Sequence, residues 1–365
     1  MPIPLNQLTI RPASEAQVIE SRKRVAVEWA QWQTLQQYLR HEEMAAASDH
    51  AKDGQLITWI LVPENEPQTL DFLSACVTYQ RDIIILPKNG TTVVSAVGYY
   101  ITNVFTPAKH RRRGYATRMM SLLHFAIGQP EGLPPFPSTW GSGPPTQVKY
   151  PGIVSVLYSG IGGFYARCAP GGGTGWAITN LTTTTWSIDE GNDMSPPHVK
   201  LLSRDEAVQT AAADLDLLKR DLEAKGPSSC IHFAFQPAEA WCRFQMSQSD
   251  GHPLYLSSPP SIWGVSMPFQ GETHFIVWKY DAVSSLRLFI LSIRVTSETF
   301  PILFQAVKSV CQAEKHNTIE AWNLDETIVP IVHNLGGRTC ERGDRDQLPA
   351  IKWYQQEVNW LGNSE

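Results

Sequence analysis

Hydrophobic positions in this chain fall into short runs, and the spacing inside each run separates strands from helices. Residues 8–11, Leu-Thr-Ile-Arg, read as a short first strand. Residues 15–39 predict one helix, with Ala26, Trp29, Ala30 and Trp32 among its apolar positions. Residues 56–62 are a largely apolar run stopped by Pro63 and predict a strand. A second apolar segment spans 73–86 and a third spans 93–105. Lys88-Asn89-Gly90 lies between these two, and Asn-Gly between apolar runs predicts a hairpin. A helical run follows over 115–127. Residues 128–151 are rich in Pro, Gly and Ser and predict a loop. A buried strand at 153–158 comes next, then a helix opening at 164–167, a glycine loop at 171–173, and a strand from Gly175-Trp176.

The second half begins with a polar stretch, 182–197, ending in Pro196-Pro197, which predicts an interdomain linker. Ser203 followed three residues later by Glu206 is a capping box, and it predicts a helix running to about residue 225. Strand-like runs follow at 231–235, 262–265, 275–278 and 286–294, then a helix at 301–315 and a strand at 319–322. This order coarsely repeats the first half: strands, a helix after an Arg-ended strand, another strand. The expected division is a catalytic domain at 1–181, a linker at 182–202, and a second domain at 203–365.

Composition narrows the class. A chain of 365 residues is long for one core, so two domains are expected. With 42% hydrophobic and 18% charged residues it should fold as a globule. The net charge of −5 provides no global field for nucleic acid. Apolar runs are far shorter than a membrane span, and residues 1–7 lack the layout of a secretory signal. The six cysteines, 76, 168, 230, 242, 311 and 340, show no CxxC spacing. They read as reduced thiols of a cytoplasmic protein, with no metal site.

The chemistry concentrates in Arg111-Arg112-Arg113-Gly114-Tyr115-Ala116, between the third strand and its helix. A helix start leaves backbone N–H groups without partners and carries the positive end of the helix dipole. Gly114 lets the backbone approach an anion, Ala116 keeps the next turn slim, and the arginines add charge-assisted hydrogen bonds. This is a pyrophosphate site in outline. The spacing Arg-x-x-Gly-x-Ala resembles the acyl-CoA signature of the GNAT N-acetyltransferase superfamily. The blocks Val104-Phe105-Thr106-Pro107, 113–120, Ser155-Val156-Leu157-Tyr158-Ser159 and Phe164-Tyr165-Ala166-Arg167 are similar to the fungal lysine N-acetyltransferase-like family. So are Trp263-Gly264, Trp322-Asn323, Pro349, Trp353-Tyr354 and Trp360-Leu361 in the second half. Two departures concern carboxylates: the family pattern has an acid where this chain has Val77, and an Asp where it has Gly160. The tail ends on Asn363-Ser364-Glu365, slightly short of the pattern.

The resemblance implies an α/β (α+β) fold with a mixed, mostly antiparallel sheet flanked by helices. Two central strands should splay apart, with the thioester in the gap. The second domain should be GNAT-like or otherwise α/β. The segment after Arg294, Val-Thr-Ser-Glu-Thr-Phe, lacks the phosphate signature, so that domain should shape the acceptor site instead. The implied acyl-CoA contacts are Val104, Phe105, Thr106, Arg111, Arg112, Arg113, Gly114, Tyr115, Ala116 and Thr117, with a backbone N–H of Val104 or Phe105 facing the thioester oxygen. Tyr165, or else Tyr158, would protonate the departing thiolate. No general base is assigned. Attack should be direct, because no Cys–His or Ser–His pair is legible.

The implied reaction moves an acetyl group from acetyl-CoA to a small amine, a lysine-like amino acid or a specialised metabolite. Neither nucleic acid nor membrane is an expected partner, and a monomer is compatible with the sequence. The alternatives are a protein-lysine or O-acetyltransferase and a CoA-binding module without chemistry. The basic run from Lys109 to Arg113 also fits a solvated loop, a nuclear-import patch or a nucleic-acid contact. Tyr165 also fits a core aromatic, His110 and His124 fit structural roles, and Met119 and Met120 fit core filling.

Overall fold

The structure is a computed structural model that describes residues 2–30, 32–179, 181–188, 198–282, 286–343, 347–354 and 358–360. The Pro196-Pro197 end of the expected linker, Leu361 and the Asn363-Ser364-Glu365 tail lie outside the described residues.

In chain order the first part forms β1 (Leu8–Pro12), α1 (Glu15–Trp29), α2 (Leu35–Ala46), β2 (Leu56–Pro63), β3 (Ser74–Leu86), β4 (Val94–Phe105), α3 (Tyr115–Ile127), β5 (Val154–Ser159) and β6 (Ala177–Ile178). The single helix expected over 15–39 is two helices. Thr34 accepts from the Gln37 amide, and the Gln37 side chain reaches back to the Thr34 amide. This capping box starts a new helix where helical spacing alone predicts continuation. The helix expected at 164–167 is a 3-10 turn, Gly162–Arg167. Asn89 takes φ +57° and Gly90 N–H donates to Pro87 at 2.8 Å, closing the expected β3–β4 hairpin.

The rest forms β7 (Thr182–Ser187), β8 (Lys200–Leu202), α4 (Arg204–Ala212), α5 (Leu215–Ala224), β9 (Ile231–Phe235), α6 (Glu239–Ser247), α7 (Pro253–Leu256), β10 (Gly264–Phe269), β11 (Glu272–Asp281), β12 (Arg287–Arg294), α8 (Thr299–Ala313), β13 (Thr318–Trp322), α9 (Val329–Asn334), β14 (Arg338–Glu341), β15 (Leu348–Trp353) and β16 (Val358–Trp360). The Ser203–Glu206 capping box starts α4 as expected, and the helix breaks before α5. β7 falls inside the stretch expected as linker. Thr184 and Trp186 alternate inward along it, and β-branched Thr suits a half-buried pleat.

The chain separates into two compact units. The first comprises Met1–Asn180, Leu222–Phe235 and Gly343–Trp360. Its sheet runs β1-β2-β3-β4-β5-β15-β6, with β9 on β3 and β16 on β9. So β9, β15 and β16, expected in the second domain, are strands of the first sheet. Pairing with β5 at Leu348–Trp353 decides this, and no local pattern announces it. The core of this unit gathers Leu8, Ile10, Trp59, Leu61, Met119, Leu122 and Trp176. Met119 and Met120 are fully buried, as core filling requires.

β4 and β5 are parallel, with register pairs only from Gly98 with Val154 to Ile101 with Leu157. Beyond that point Thr102 and Phe105 pair with β3 on the other side. The two strands therefore part at their C-terminal ends, as the expected splay requires.

The described residues of the second unit fall within Leu181–Asp221 and Gln236–Arg342. Its sheet runs β14-β7-β13-β12-β11-β10-β8. Antiparallel β10–β11–β12, the helix α8 and the parallel strand β13 repeat the order β2–β3–β4, α3, β5.

Candidate active site

The open end of the splay is shaped by a bulge. Between Val77 with Thr102 and Ala75 with Phe105 the β3–β4 register shifts, so Asn103 and Val104 together oppose Cys76. Asn103 adopts φ +51°, a left-handed conformation asparagine tolerates, and the strand bends there. The Val104 side chain packs on the core. Phe105 meets Trp29 edge-on at 6.0 Å, and its carbonyl accepts from Ser74 Oγ at 3.0 Å. Ser74 Oγ also lies 2.9 Å from Thr106 Oγ1. The end of β4 is thus held from both flanks.

The basic run then divides by role. Lys109 Nζ lies 2.5 Å from Asp71 Oδ1, and His110 Nε2 lies 3.5 Å from the same oxygen. The hydrogen bond from Lys109 is the largest influence holding the Asp71 carboxyl below its usual range. Arg111 donates to Glu28 at 2.8 Å and to the Thr106 carbonyl at 3.0 Å. Arg112 and Arg113 are exposed and have no hydrogen bond or ion pair among the described residues. Of the three arginines, those two are available for an anion, while Arg111 is already committed to the protein.

The turn itself has the conformation that phosphate binding needs. Arg112 sits at φ +62° and Gly114 at φ +79°. Gly114 is the N-cap of α3, with no side-chain cap. The first helical hydrogen bond runs from Arg118 N–H to the Gly114 carbonyl at 2.8 Å. The amides of Gly114, Tyr115, Ala116 and Thr117 have no acceptor among the described residues. Four N–H groups and the positive end of the dipole are therefore available at this helix start, directly after two exposed arginines that have no ion pair among the described residues. Two side chains hold the helix start in place. The Tyr115 hydroxyl accepts from Ile3 N–H at 3.2 Å. Arg118 lies 4.9 Å from the centre of the Trp140 ring and donates to the Leu8 carbonyl at 3.3 Å.

The second unit offers a direct contrast. At the start of α8, Thr296 Oγ1 accepts from the amides of Glu298 at 3.3 Å and Thr299 at 3.4 Å. The N-cap there is Glu298. Those amides are occupied and an acid stands beside them, so the equivalent helix start is closed to an anion.

Tyr165 is buried in the 3-10 turn, edge-on to Trp176 at 6.4 Å. Burial, and then the neighbouring thiols of Cys76 and Cys168, push its phenol pKa well up. It therefore keeps its proton throughout the physiological range. Tyr158 lies on β5 one residue beyond the last β4 pairing, 6.2 Å from the Tyr100 ring. The two expected proton donors thus fall on β5 and on the turn that follows it.

Beneath the sheet lies a buried polar chain that sequence reading did not reveal. Trp176 Nε1–H donates to Ser155 Oγ at 2.9 Å, and Ser155 Oγ lies 3.0 Å from Tyr354 Oη. Tyr354 Oη lies 3.1 Å from His124 Nδ1, and His124 Nε2 lies 2.8 Å from the Cys168 carbonyl. A carbonyl only accepts, so Nε2 carries the hydrogen and Nδ1 accepts from Tyr354. Burial lowers the His124 pKa to about 3, which keeps the ring neutral. His124 stacks on Trp176 at 4.0 Å. Its role is structural, in line with the plainer expectation.

A narrow cleft on the α1–α2 side of the same unit was also missed. Arg22, Tyr38, Glu42, Val77, Tyr79 and Asn103 line it. Its signal in the sequence was the Thr34–Gln37 capping box, which separates α2 from α1. No group of three or more metal-ligating side chains occurs among the described residues, and no helix among them is long and apolar enough to cross a membrane. The six cysteines form no disulfide.

Known proteins agree with this architecture. A crystal structure from Enterococcus faecalis V583, a conserved protein of unknown function described as a probable N-acyltransferase, matches with a TM-score of 0.55 at 10% identity, over 95% of this chain and 72% of that one. A GCN5-related N-acetyltransferase from Kribbella flavida matches at 0.52 and 14% identity, over 95% of this chain and 72% of the other. Eis1 from Mycobacterium abscessus matches at 0.50 and 12% identity, over 95% and 73%. At such identities these likenesses show a shared fold. A curated Yarrowia lipolytica protein named lysine acetyltransferase is 26% identical over 184 residues, 48% of this chain. The match spans 42% of that relative's length. The family model of the LYC1 GNAT-like C-terminal domain matches residues 183–365, half of the chain, and the chain belongs to that GNAT family.

Proposed function

We propose that this protein is an N-acetyltransferase that uses acetyl-CoA and acylates a small amine by direct attack. One observation carries the reading. The amides at the start of α3 have no acceptor among the described residues, they begin on a left-handed glycine that directly follows two exposed arginines, and they lie after a strand whose pairing with its parallel neighbour stops short of its end. In this reading Gly114 to Thr117, Arg112 and Arg113 take the pyrophosphate, and Arg111 braces the turn through Glu28. The bulge at Asn103 and Val104 aims a backbone N–H of Val104 or Phe105 at the thioester oxygen. Tyr165 holds its proton for the departing thiolate, with Tyr158 as the second candidate. The family suits a lysine-like amine as acceptor, and the curated relative's name points the same way.

Isothermal titration with acetyl-CoA tests the coenzyme half. The wild type should bind and Arg113→Glu should not; a wild type that ignores acetyl-CoA overturns the reading. A mass-spectrometric screen of amino acids and polyamines with acetyl-CoA tests the other half, through the gain of one acetyl group. Tyr165→Phe should slow turnover and leave acetyl-CoA affinity in place.

A further inference from the structure

The second unit contains a cavity of about 400 Å³, within the roughly 300–1,000 Å³ span of small-molecule sites. Arg204, Asp250, Tyr255, Leu256, Pro260 and Trp263 line it. Its two rings are fixed from behind. The Trp263 indole N–H donates to the Pro260 carbonyl at 3.1 Å, and the Tyr280 ring meets Trp263 edge-on at 4.9 Å. Tyr255 Oη lies 2.9 Å from His316 Nε2, and His316 Nδ1 lies 2.9 Å from the Glu314 carbonyl. A carbonyl only accepts, so Nδ1 carries the hydrogen and Tyr255 donates to Nε2. The aromatic wall is therefore held in place without a ligand. Leu256, in contrast, is 69% exposed at the end of α7. An apolar side chain left in water beside ring faces gains buried area when an apolar group enters the cavity.

The polar wall decides the charge of that ligand. Arg204 opens α4 with its guanidinium 4.4 Å from the centre of the Trp263 ring. It donates from Nη1 to Asp250 Oδ2 at 3.1 Å and from Nη2 to Oδ1 at 2.9 Å. Its buried Nε–H has no acceptor among the described residues. An arginine has five N–H donors and a carboxylate about four acceptor positions, so both partners keep unused capacity. Other arginines of this unit are shared between two acids each: Arg287 between Asp281 and Glu320, Arg294 between Asp214 and Asp221. Arg204 meets one acid, and the Asp250 side chain is 48% exposed. Glu314 is already engaged, because its carboxylate accepts from the amide of Ser261 in the cavity wall. A neutral Arg–Asp pair selects by charge. A lone cation meets Arg204 as a like charge and a lone anion meets Asp250 as one. A ligand with a carboxylate and an ammonium on one carbon satisfies both partners at once.

We propose that this cavity is a binding site for a free α-amino acid with an apolar side chain. Arg204 takes the carboxylate, Asp250 takes the ammonium, and Tyr255, Leu256 and Pro260 cover the side chain. The proposal is independent of the acyl-transfer reading: every residue it uses belongs to the second unit, and none is among the acetyl-CoA contacts.

The test has two arms. The first uses the wild-type chain and photo-leucine, the diazirine analogue of leucine, with peptide mass spectrometry as the readout. Crosslinks should map to residues 249–263, and L-leucine should displace them. 3-Methylbutylamine and 4-methylpentanoate carry the same apolar group with one charge each. Each should compete about tenfold less well than L-leucine, or worse, for want of one charge-assisted contact. Crosslinks confined to other segments, or equal competition by all three compounds, overturn the proposal.

The second arm is isothermal titration of wild type, Asp250→Asn and Arg204→Met, with circular dichroism as the check on folding. L-Leucine affinity should fall about tenfold or more in each variant. Asp250→Asn should instead bind 4-methylpentanoate about tenfold more tightly than wild type does, because Arg204 is then without its neutralising acid. A wild type that shows no heat with millimolar L-leucine overturns the proposal, and so does L-leucine binding that survives both substitutions. Acetyl-CoA affinity should be the same in all three proteins. A chain that ignores acetyl-CoA overturns the coenzyme reading alone, and the leucine titrations still decide the cavity. Should Arg204→Met fail to fold, Asp250→Asn and the crosslinking arm decide it.

Discussion

Tyr354→Phe tests whether the tail of the chain is part of the first unit's core. The substitution removes one oxygen and leaves the ring, which is fully buried. It breaks two links of the buried chain, 3.1 Å to His124 Nδ1 and 3.0 Å to Ser155 Oγ. Nδ1 of a neutral histidine is then an acceptor without a donor, and the Ser155 hydroxyl loses its acceptor. Each buried unsatisfied group costs about 1–3 kcal/mol, and Ser155 can partly reorient, so about 3 kcal/mol in total is expected. For a unit of this size that corresponds to a midpoint lowered by roughly 6–12 °C. Thermal unfolding followed by tryptophan fluorescence measures it, since Trp176 donates into the same chain. Adding Ser155→Ala to Tyr354→Phe should cost less than Ser155→Ala costs alone, because the two groups act as one network. A midpoint within about 1 °C of wild type, on a scale of roughly 2–4 °C per kcal/mol, would refute the reasoning and detach the tail from the core.

Other outcomes follow from the same geometry. Arg112→Ala and Arg113→Ala should each weaken acetyl-CoA about tenfold, the worth of a charge-assisted hydrogen bond. Arg111→Ala should weaken it less, because that guanidinium already serves Glu28; calorimetry at two salt concentrations separates them. Gly114→Val should strain a φ of +79° by about 1–2 kcal/mol and turn the amides away. Its added Cβ would meet Leu5 at an ordinary 3.4 Å, so circular dichroism should report a folded protein with acetyl-CoA binding lost. His124 titrates at about 3 when folded and near 6.5 when unfolded, so the unfolded chain binds more protons between those values. Its contribution is fully present above about pH 6.5 and is lost as pH falls toward 3, about 2 kcal/mol by pH 5. Urea unfolding at pH 7 and pH 5 should show that loss, and His124→Phe should flatten it.

The acyl-CoA half of the candidate site was legible because it is local. Gly114, the flanking arginines, the preceding strand and the following helix lie within one short stretch. Helix-end electrostatics depends on a few consecutive backbone amides. The hairpin at Asn89-Gly90 and the capping box at Ser203 were legible for the same reason: both are short-range hydrogen-bond patterns. Even locally, competing signals misled. The helical spacing across 15–39 hid the Thr34 cap, and the Thr182–Ser187 strand looked like polar linker because threonine satisfies both descriptions.

The amino-acid sequence by itself determined the strand–turn–helix that can hold a pyrophosphate, the second unit's lack of that signature, and the order of most elements. Only the tertiary structure decided that β9, β15 and β16 belong to the first sheet, that Arg111 is already paired, and that Tyr354, Ser155, Trp176 and His124 form one chain. Only it brought Arg22, Glu42 and Asn103 to one cleft. The physical reason is range. Propensity, capping and turn chemistry act between residues a few positions apart, and the sequence displays them directly. Strand partners and the neighbours of a buried carboxylate are selected by burial across the whole chain, and no short window of residues encodes that choice.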